Sequence, residues 1–280
     1  MTATALTRPD GERLALRDWP PPAIARRATV LLVHGLGEHS GRYEHLAREL
    51  GRCGCAVRGY DHHGHGRSSG VRGALPQADR LLTDLAAVVD ATRAAMPAGE
   101  PLILLGHSMG GLVTASFVAR ALRPVDALVL SSPALAIFTS PLQKLLLATL
   151  PQWLPNLRVG NGLNPRQLSH DAAVVAAYKA DPLCHDRIST RLAHFLATEG
   201  AATLAHAGAW PLPTLLLWGS ADRMVDPAGC RALAAAAPAG RVSAHEFAGY
   251  YHEIFNEADP APVFAALRTW VENFLNKNGS

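Results

Sequence analysis

Cysteine is scarce. The four present, Cys53, Cys55, Cys184 and Cys230 among 280 residues, are too few for a disulfide scaffold and show no C-x-x-C zinc spacing. They read as reduced thiols. Charge is also sparse at 18% of residues, and the 26 basic and 23 acidic side chains are scattered without runs, for a formal net charge of +3. Such a balance offers no electrostatic footprint for a nucleic-acid backbone, so nucleic acid is excluded as a partner. Long apolar runs are missing as well. The most apolar window, Ala134 to Leu157, is broken by Ser140, Gln143, Lys144 and Gln152 and by three prolines, which argues against a membrane span but leaves room for a segment lying on a lipid surface. The first residues, MTATALTRPDGERLAL, place Asp10, Glu12 and two arginines where an export signal needs an apolar run. A cytoplasmic location is the expectation. No internal repeat or low-complexity tract stands out from the general abundance of alanine.

What is present is a core. Hydrophobic residues make up 49% of the chain. Length alone suggests roughly two domains, but one catalytic body with an insertion fits the pattern better. Short runs rich in Val, Leu and Ile (Thr29 to Val33, Ala56 to Tyr60, Leu102 to Leu105, Ala127 to Leu130, Thr214 to Trp218 and Arg241 to Phe247) alternate with stretches of helical period near Tyr43 to Gly51, Asp79 to Met96, Met109 to Leu122, Ala228 to Ala236 and Pro260 to Leu275. This order predicts βαβ units, and hence an α/β fold with a mostly parallel central sheet and flanking helices. Between residues 132 and 211 the rhythm breaks. Helical patterns such as Pro141 to Leu150 and His170 to Tyr178 appear there without a convincing strand, so residues 132–211 read as an inserted helical cap on a body formed by 1–131 and 212–280. Ile137, Phe138, Leu142, Leu145, Leu146, Leu147, Leu150, Trp153 and Leu154 exceed what one face of a short helix can bury. Some of this apolar surface should face a tunnel or a lipid interface.

The chemistry begins at Gly106-His107-Ser108-Met109-Gly110, which follows the strand pattern Leu102 to Leu105 and opens a helical one. This is a G-x-S-x-G nucleophile elbow, in which small residues permit a turn tight enough to lift the serine clear of the sheet. A serine hydroxyl needs a base oriented by a carboxylate, and in this setting the order is Ser, acid, His. Gly219-Ser220-Ala221-Asp222 and Tyr251-His252-Glu253 both follow later strands, at the carboxyl ends where open α/β sheets place their sites. Asp226 competes with Asp222, but Asp226-Pro227 opens a helix as an N-cap followed by proline, so Asp222 is the candidate acid. His245 lies within the last strand pattern, which leaves His252 as the candidate base. An oxyanion would meet the N–H of Met109 and that of Leu36 in the turn His34-Gly35-Leu36-Gly37. The histidine-rich run Asp61-His62-His63-Gly64-His65 lacks the pattern of a metal motif and reads as a loop buttressing that turn. Neither a metal nor a cofactor is called for.

Together these segments resemble the α/β-hydrolase fold and, within it, the monoacylglycerol lipase and lysophospholipase-like serine hydrolases. The resemblance spans nearly the whole chain. Its most specific element is Gly37-Glu38-His39-Ser40-Gly41-Arg42-Tyr43, joined by Asp61 to Ser68, the elbow, Gly219 to Asp222, Tyr251 to Glu253 and Tyr178-Lys179-Ala180-Asp181-Pro182-Leu183. It implies that Glu38, Arg42, His107 and Tyr178 line a polar pocket for a glycerol end, although Phe255 stands where a relative carries a polar residue. Read by themselves, Glu38 and Arg42 can equally pair along a helix start, and Tyr178 can pack inward. The expected activity is hydrolysis of a single-chain lipid ester such as a monoacylglycerol. A lysophospholipase or short-chain carboxylesterase is the alternative, and a ligand-binding protein without turnover is the non-enzymatic one. The expected partners are a lipid ester and, through the cap, a transient contact with membranes or micelles; no oligomeric state is assigned. A serine at the elbow excludes the dehalogenase and epoxide-hydrolase reactions, which need an aspartate there.

Ser108→Ala is expected to lower ester hydrolysis by several orders of magnitude, and a fluorophosphonate is expected to label Ser108 alone. Wild-type turnover by the alanine variant would refute the assignment.

Overall fold

The computed structural model describes residues 2–21 and 24–278. In chain order the elements are β1 (Thr2–Thr7), β2 (Arg13–Asp18), β3 (Ala28–Val33), α1 (Glu44–Arg52), β4 (Cys55–Tyr60), α2 (Arg80–Ala95), β5 (Leu102–His107), α3 (Met109–Ala119), β6 (Ala127–Ser131), α4 (Pro141–Trp153), β7 (Arg158–Gly160), α5 (Ala172–Ala180), β8 (Arg187–Ser189), α6 (Thr190–Leu204), β9 (Thr214–Gly219), α7 (Ala228–Ala236), β10 (Val242–Phe247) and α8 (Ala261–Asn278). Eight strands form one sheet in the order β1-β2-β4-β3-β5-β6-β9-β10. From β4 to β10 neighbouring strands run parallel, and β2 pairs antiparallel with both β1 and β4.

Strands β3, β5, β6 and β9 are buried at every position. Their unbroken apolar character is the mark of a sheet covered on both sides. Alternate residues feed two cores. Leu31, Val33, Leu104, Leu128 and Leu216 meet side chains of α2, α3, α6 and α7 on one face, while Val30, Leu32, Ile103, Val129 and Leu215 meet α1 and α8 on the other. The register aligns Val33 with Tyr60 on one side and Gly106 on the other. Three loops, those after β3, β4 and β5, therefore leave the sheet at one level, where the strand order reverses and open α/β sheets bind ligands.

Two differences from the sequence pattern have clear causes. The polar lead-in is a hairpin, β1–β2, because Leu14 and Leu16 point inward while Arg13 is exposed. This half-exposed alternation differs from the continuous apolar runs of the central strands. The segment between β6 and β9 contains, besides helices, two three-residue strands, with Val159 of β7 opposite Ile188 of β8. Its last helix, α6, is joined to the body: Leu192 and Phe195 share the core of α3, and Glu199 accepts from Ser116.

Phe117 of α3 is fully buried, whereas Leu142 of α4 is 65% exposed. Phe117→Ala is expected to cost about 3–5 kcal/mol and Leu142→Ala less than about 0.5 kcal/mol, as read by urea unfolding.

Candidate active site

The candidate nucleophile sits on a strained turn. Ser108 has φ +54° and ψ −119°, an unusual backbone for a residue with a side chain. Its N–H donates to the Ser131 carbonyl at 3.0 Å, and its own carbonyl accepts from Leu112 and Ala134. The flanking glycines are required by space. A Cβ on Gly106 would stand 2.4 Å from the Gly110 carbonyl oxygen, and one on Gly110 would stand 2.1 Å from the Val33 oxygen.

Beyond β9 and β10 the chain brings Asp222 and His252 together. His252 Nδ1 lies 2.7 Å from Asp222 Oδ2 with both side chains buried. The other carboxylate oxygen, Oδ1, accepts from the N–H groups of Met224 and Val225 at 2.8 and 3.1 Å, so the acid cannot rotate away. Ser132 Oγ donates to the His252 carbonyl at 2.8 Å. Burial pulls the imidazole downward in pKa, but the Asp222 charge and hydrogen bond outweigh it and the pKa is raised. For Asp222, burial raises the pKa, and His252 together with the two backbone donors brings it below the ordinary value. The competing residues are elsewhere. His245 is exposed on the edge strand β10, and Asp226 Oδ1 accepts from Ala228 N–H at 2.9 Å. That capping contact stands one residue further out than the sequence predicts, since α7 starts at Ala228 with Pro227 as its N-cap.

Leu36 and Met109, the candidate oxyanion donors, line one cavity with Ser108. Met109 is the first residue of α3, so its N–H has no acceptor one turn back in the helix. The histidine-rich loop braces the turn from behind. His34 Nε2 accepts from His62 N–H at 2.9 Å, and Asp61 accepts from Ser40 N–H, Ser40 Oγ and Arg67 N–H. The rings of His34, His62 and His65 lie edge to edge or tilted, buried. Burial holds their pKa values below the ordinary imidazole range.

The cavity at Ser108 has a volume of about 390 Å³. Its walls include Ile137, Phe138, Leu146, Leu147, Leu150 and Leu196, whereas Leu142, Leu145, Trp153 and Leu154 point outward and are exposed. Glu38, Arg42, His107 and Tyr178 are not among its walls. Glu38 and Arg42 turn to each other at 2.7 Å, the pairing that their spacing left open, and Arg42 also grips Glu253. His107 Nδ1 lies 3.1 Å from Ser131 Oγ and its ring is 4.8 Å from that of His252; burial and the charge of His252 push its pKa down to about 4. Tyr178 donates to the Gly37 carbonyl at 3.2 Å and lines a second cavity, of about 170 Å³, which shares Asn161, Leu163 and Met224 with the first. Phe255 is buried against Phe264 in the core beneath α8. The site residues that sequence reasoning missed are Glu253, Ser132 and the Met224–Val225 amides. Only Glu253 left a signal, as an acidic residue directly after the candidate base.

Among the described residues, His39, Asp181 and Cys184 could offer three metal ligands within 4.8 Å of one another. The hydrogen bonds speak against that use. His39 Nδ1 accepts from Gly41 N–H, which leaves the ring proton on Nε2, facing Asp181 Oδ2 at 2.8 Å.

Asp222→Asn is expected to lower kcat by about 10⁴ with the fold intact, because it favours the wrong imidazole tautomer. Asp226→Ala should cost about 1 kcal/mol of stability and keep turnover; exchanged outcomes would reassign the acid. Since the base must be neutral, kcat/KM should fall on acidification through a pKa above the imidazole reference of about 6.5. That limb should move to lower pH in Asp222→Asn.

The sequence profile of the serine aminopeptidase S33 family matches residues 24–259. A monoacylglycerol lipase of Mycolicibacterium smegmatis is 35% identical over 268 residues, 95% of each chain. The monoglyceride lipase of Rattus norvegicus is 33% identical over 286 residues, covering 98% of this chain and 92% of the relative. Among solved structures, the monoacylglycerol lipase of Paleococcus ferrophilus superimposes with a TM-score of 0.85 at 33% identity, over 93% of this chain and 99% of the other. With a profile match over most of its length and relatives of this similarity along nearly all of it, the chain belongs to the serine aminopeptidase S33 family of α/β-hydrolases, among its monoacylglycerol lipase-like members.

Proposed function

We propose that the protein hydrolyses single-chain lipid esters, monoacylglycerol foremost, with Ser108 as nucleophile, His252 as base and Asp222 as its orienting acid. The observation that carries this reading is the apolar cavity of about 390 Å³ that starts at Ser108. It suits an acyl chain whose ester carbonyl rests between the nucleophile and the N–H groups of Leu36 and Met109. Ser108 attacks that carbonyl while His252 accepts its proton, and the two amides hold the resulting oxyanion. His252 then protonates the departing alcohol, and water repeats the sequence on the acyl-enzyme. Each step uses groups already positioned, so most of the barrier reduction comes from preorganisation.

In this reading the alcohol end lies toward the Glu38–Arg42–Glu253 cluster and the second cavity, whose charges favour a neutral head group. Arg42 is shared between Glu38 and Glu253, and Lys179 in the second cavity stands with Asp181 and Asp186. A phosphodiester would meet net negative charge, whereas glycerol needs only hydrogen bonds. Monoacylglycerol therefore ranks above lysophospholipid. Residues 132–211 serve as the cap in this reading, with α4 covering the acyl cavity. No helix among the described residues is long and apolar enough to cross a membrane. The outward Leu142, Leu145 and Trp153, 65%, 61% and 82% exposed, suit a transient contact with a lipid surface.

On soluble monomeric esters, kcat/KM should rise about fourfold per methylene, from about 0.8 kcal/mol each, until the cavity is full. Leu150→Glu, which charges the cavity, should depress long-chain turnover while sparing a short ester. Leu145→Glu should reduce activity on micellar monoacylglycerol and leave monomeric substrates alone. A wild type without chain-length preference would favour the short-chain esterase, and faster cleavage of the anionic lysophosphatidylglycerol than of monoacylglycerol would reverse the ranking of head groups.

A further inference from the structure

Arg42 is the centre of a buried three-residue ion cluster. Its Nη1 donates to Glu38 Oε2 at 2.7 Å and to Glu253 Oε1 at 2.6 Å, and its Nη2 donates to Glu253 Oε2 at 2.8 Å. The side chains of Arg42, Glu38 and Glu253 are 12%, 4% and 5% exposed. Each carboxylate has a second task. Glu38 Oε1 accepts from Gly35 N–H at 2.7 Å and from Tyr43 Oη at 2.5 Å, which fixes the residue just before the candidate donor Leu36. Glu253 follows His252 directly, and its Oε2 also accepts from Asn256 Nδ2 at 2.9 Å. The Tyr178 ring covers the guanidinium at 5.0 Å. With its fork spent on two carboxylates, Arg42 has little capacity left for a substrate. A bidentate guanidinium fixes both distance and angle, which a lysine cannot do.

We propose that Glu38, Arg42 and Glu253 form a positioning clamp for hydrolysis, in which Arg42 ties the turn carrying Leu36 to the loop carrying His252, holding oxyanion donor and base in fixed relation on either side of Ser108. The proposal rests on the roles given above to Leu36, Ser108 and His252. It differs from a head-group pocket in what it predicts, because the clamp acts on the chemical step and leaves substrate affinity nearly unchanged. The cluster carries a net charge of −1, and this charge faces His252 along with Asp222 from the loop after β9 and His107 from β5. Both glutamates favour the protonated imidazole.

The test measures kcat, KM and the acidic limb of kcat/KM on a water-soluble short-chain ester, with Tm recorded in parallel, for Glu253→Gln and Arg42→Lys. Glu253→Gln removes one negative charge and weakens the fork. Its kcat should fall about tenfold, with KM within about twofold and the acidic limb about half a pH unit lower. Arg42→Lys keeps the charge and loses the fork, so kcat should fall by a similar factor while the limb stays in place. A Glu253→Gln enzyme with wild-type kcat and an unmoved limb, whatever its Tm, would overturn the clamp, as would a rise in KM alone. Should Glu253→Gln fail to fold, Arg42→Lys decides: a lower Tm with unchanged kcat shows a structural role only. Ser108→Ala, run alongside, separates this outcome from failure of the underlying assignment, since retained turnover there would remove the nucleophile itself.

Discussion

The site depends on one close backbone approach, the seating of the first turn of α3 against the end of β3. A methyl group at Gly110 would lie within 2.1 Å of the Val33 oxygen, so α3 reaches its place only because that position carries no side chain. This approach sets Ser108, the candidate nucleophile, beside the His34–Gly35 turn, so that Leu36, Ser108 and Met109 line one cavity. The strain at Ser108, of order 1–3 kcal/mol for such a backbone, is held by its bonds to Ser131, Leu112 and Ala134. The four central strands, buried at every position, give the rigidity that such a turn requires.

Polar contacts finish what packing begins. Each loop at the carboxyl edge of the sheet is tied to its neighbour by buried hydrogen bonds: Asp61 to Ser40, His62 to His34, Ser132 to His252 and Arg42 to both Glu38 and Glu253. These loops come from distant parts of the chain, and no single helix or strand relates them. The network lets a site assembled from turns behave as one body, in line with the high cost of leaving any buried member unpaired.

Local patterns made much of this legible. The central strands announced themselves as continuous Val/Leu/Ile runs, and Gly106 and Gly110 marked the elbow because a turn that tight imposes a visible composition. Asp222 and His252 were singled out by their order after strands, and the fold brings these two candidates within 2.7 Å of each other. What stayed hidden is what forms between segments remote in sequence. Glu38 and Arg42 could be seen as a pair four residues apart, but Glu253, 211 residues beyond Arg42, could join them only once the fold closed. The β1–β2 hairpin escaped because half-exposed strands dilute their apolar signal with arginine and threonine. The path of Asp226 was nearly right, its cap displaced by one residue by Pro227.

Buried and half-buried histidines make the fold sensitive to acid. His34, His45, His62, His63, His65, His107 and His185 all have pKa values held below the ordinary value of 6.5, with burial as the largest cause. Each stays neutral in the native chain at a pH where the unfolded chain would already have taken up a proton. Stability is therefore lost as the pH falls below about 6.5 and continues to fall until the native pKa of each ring is reached; for His107 and His185 that is about 4. His252, raised by Asp222, contributes in the opposite sense, but it is one ring against seven. Each of these seven rings therefore adds to the proton uptake that accompanies unfolding in mild acid.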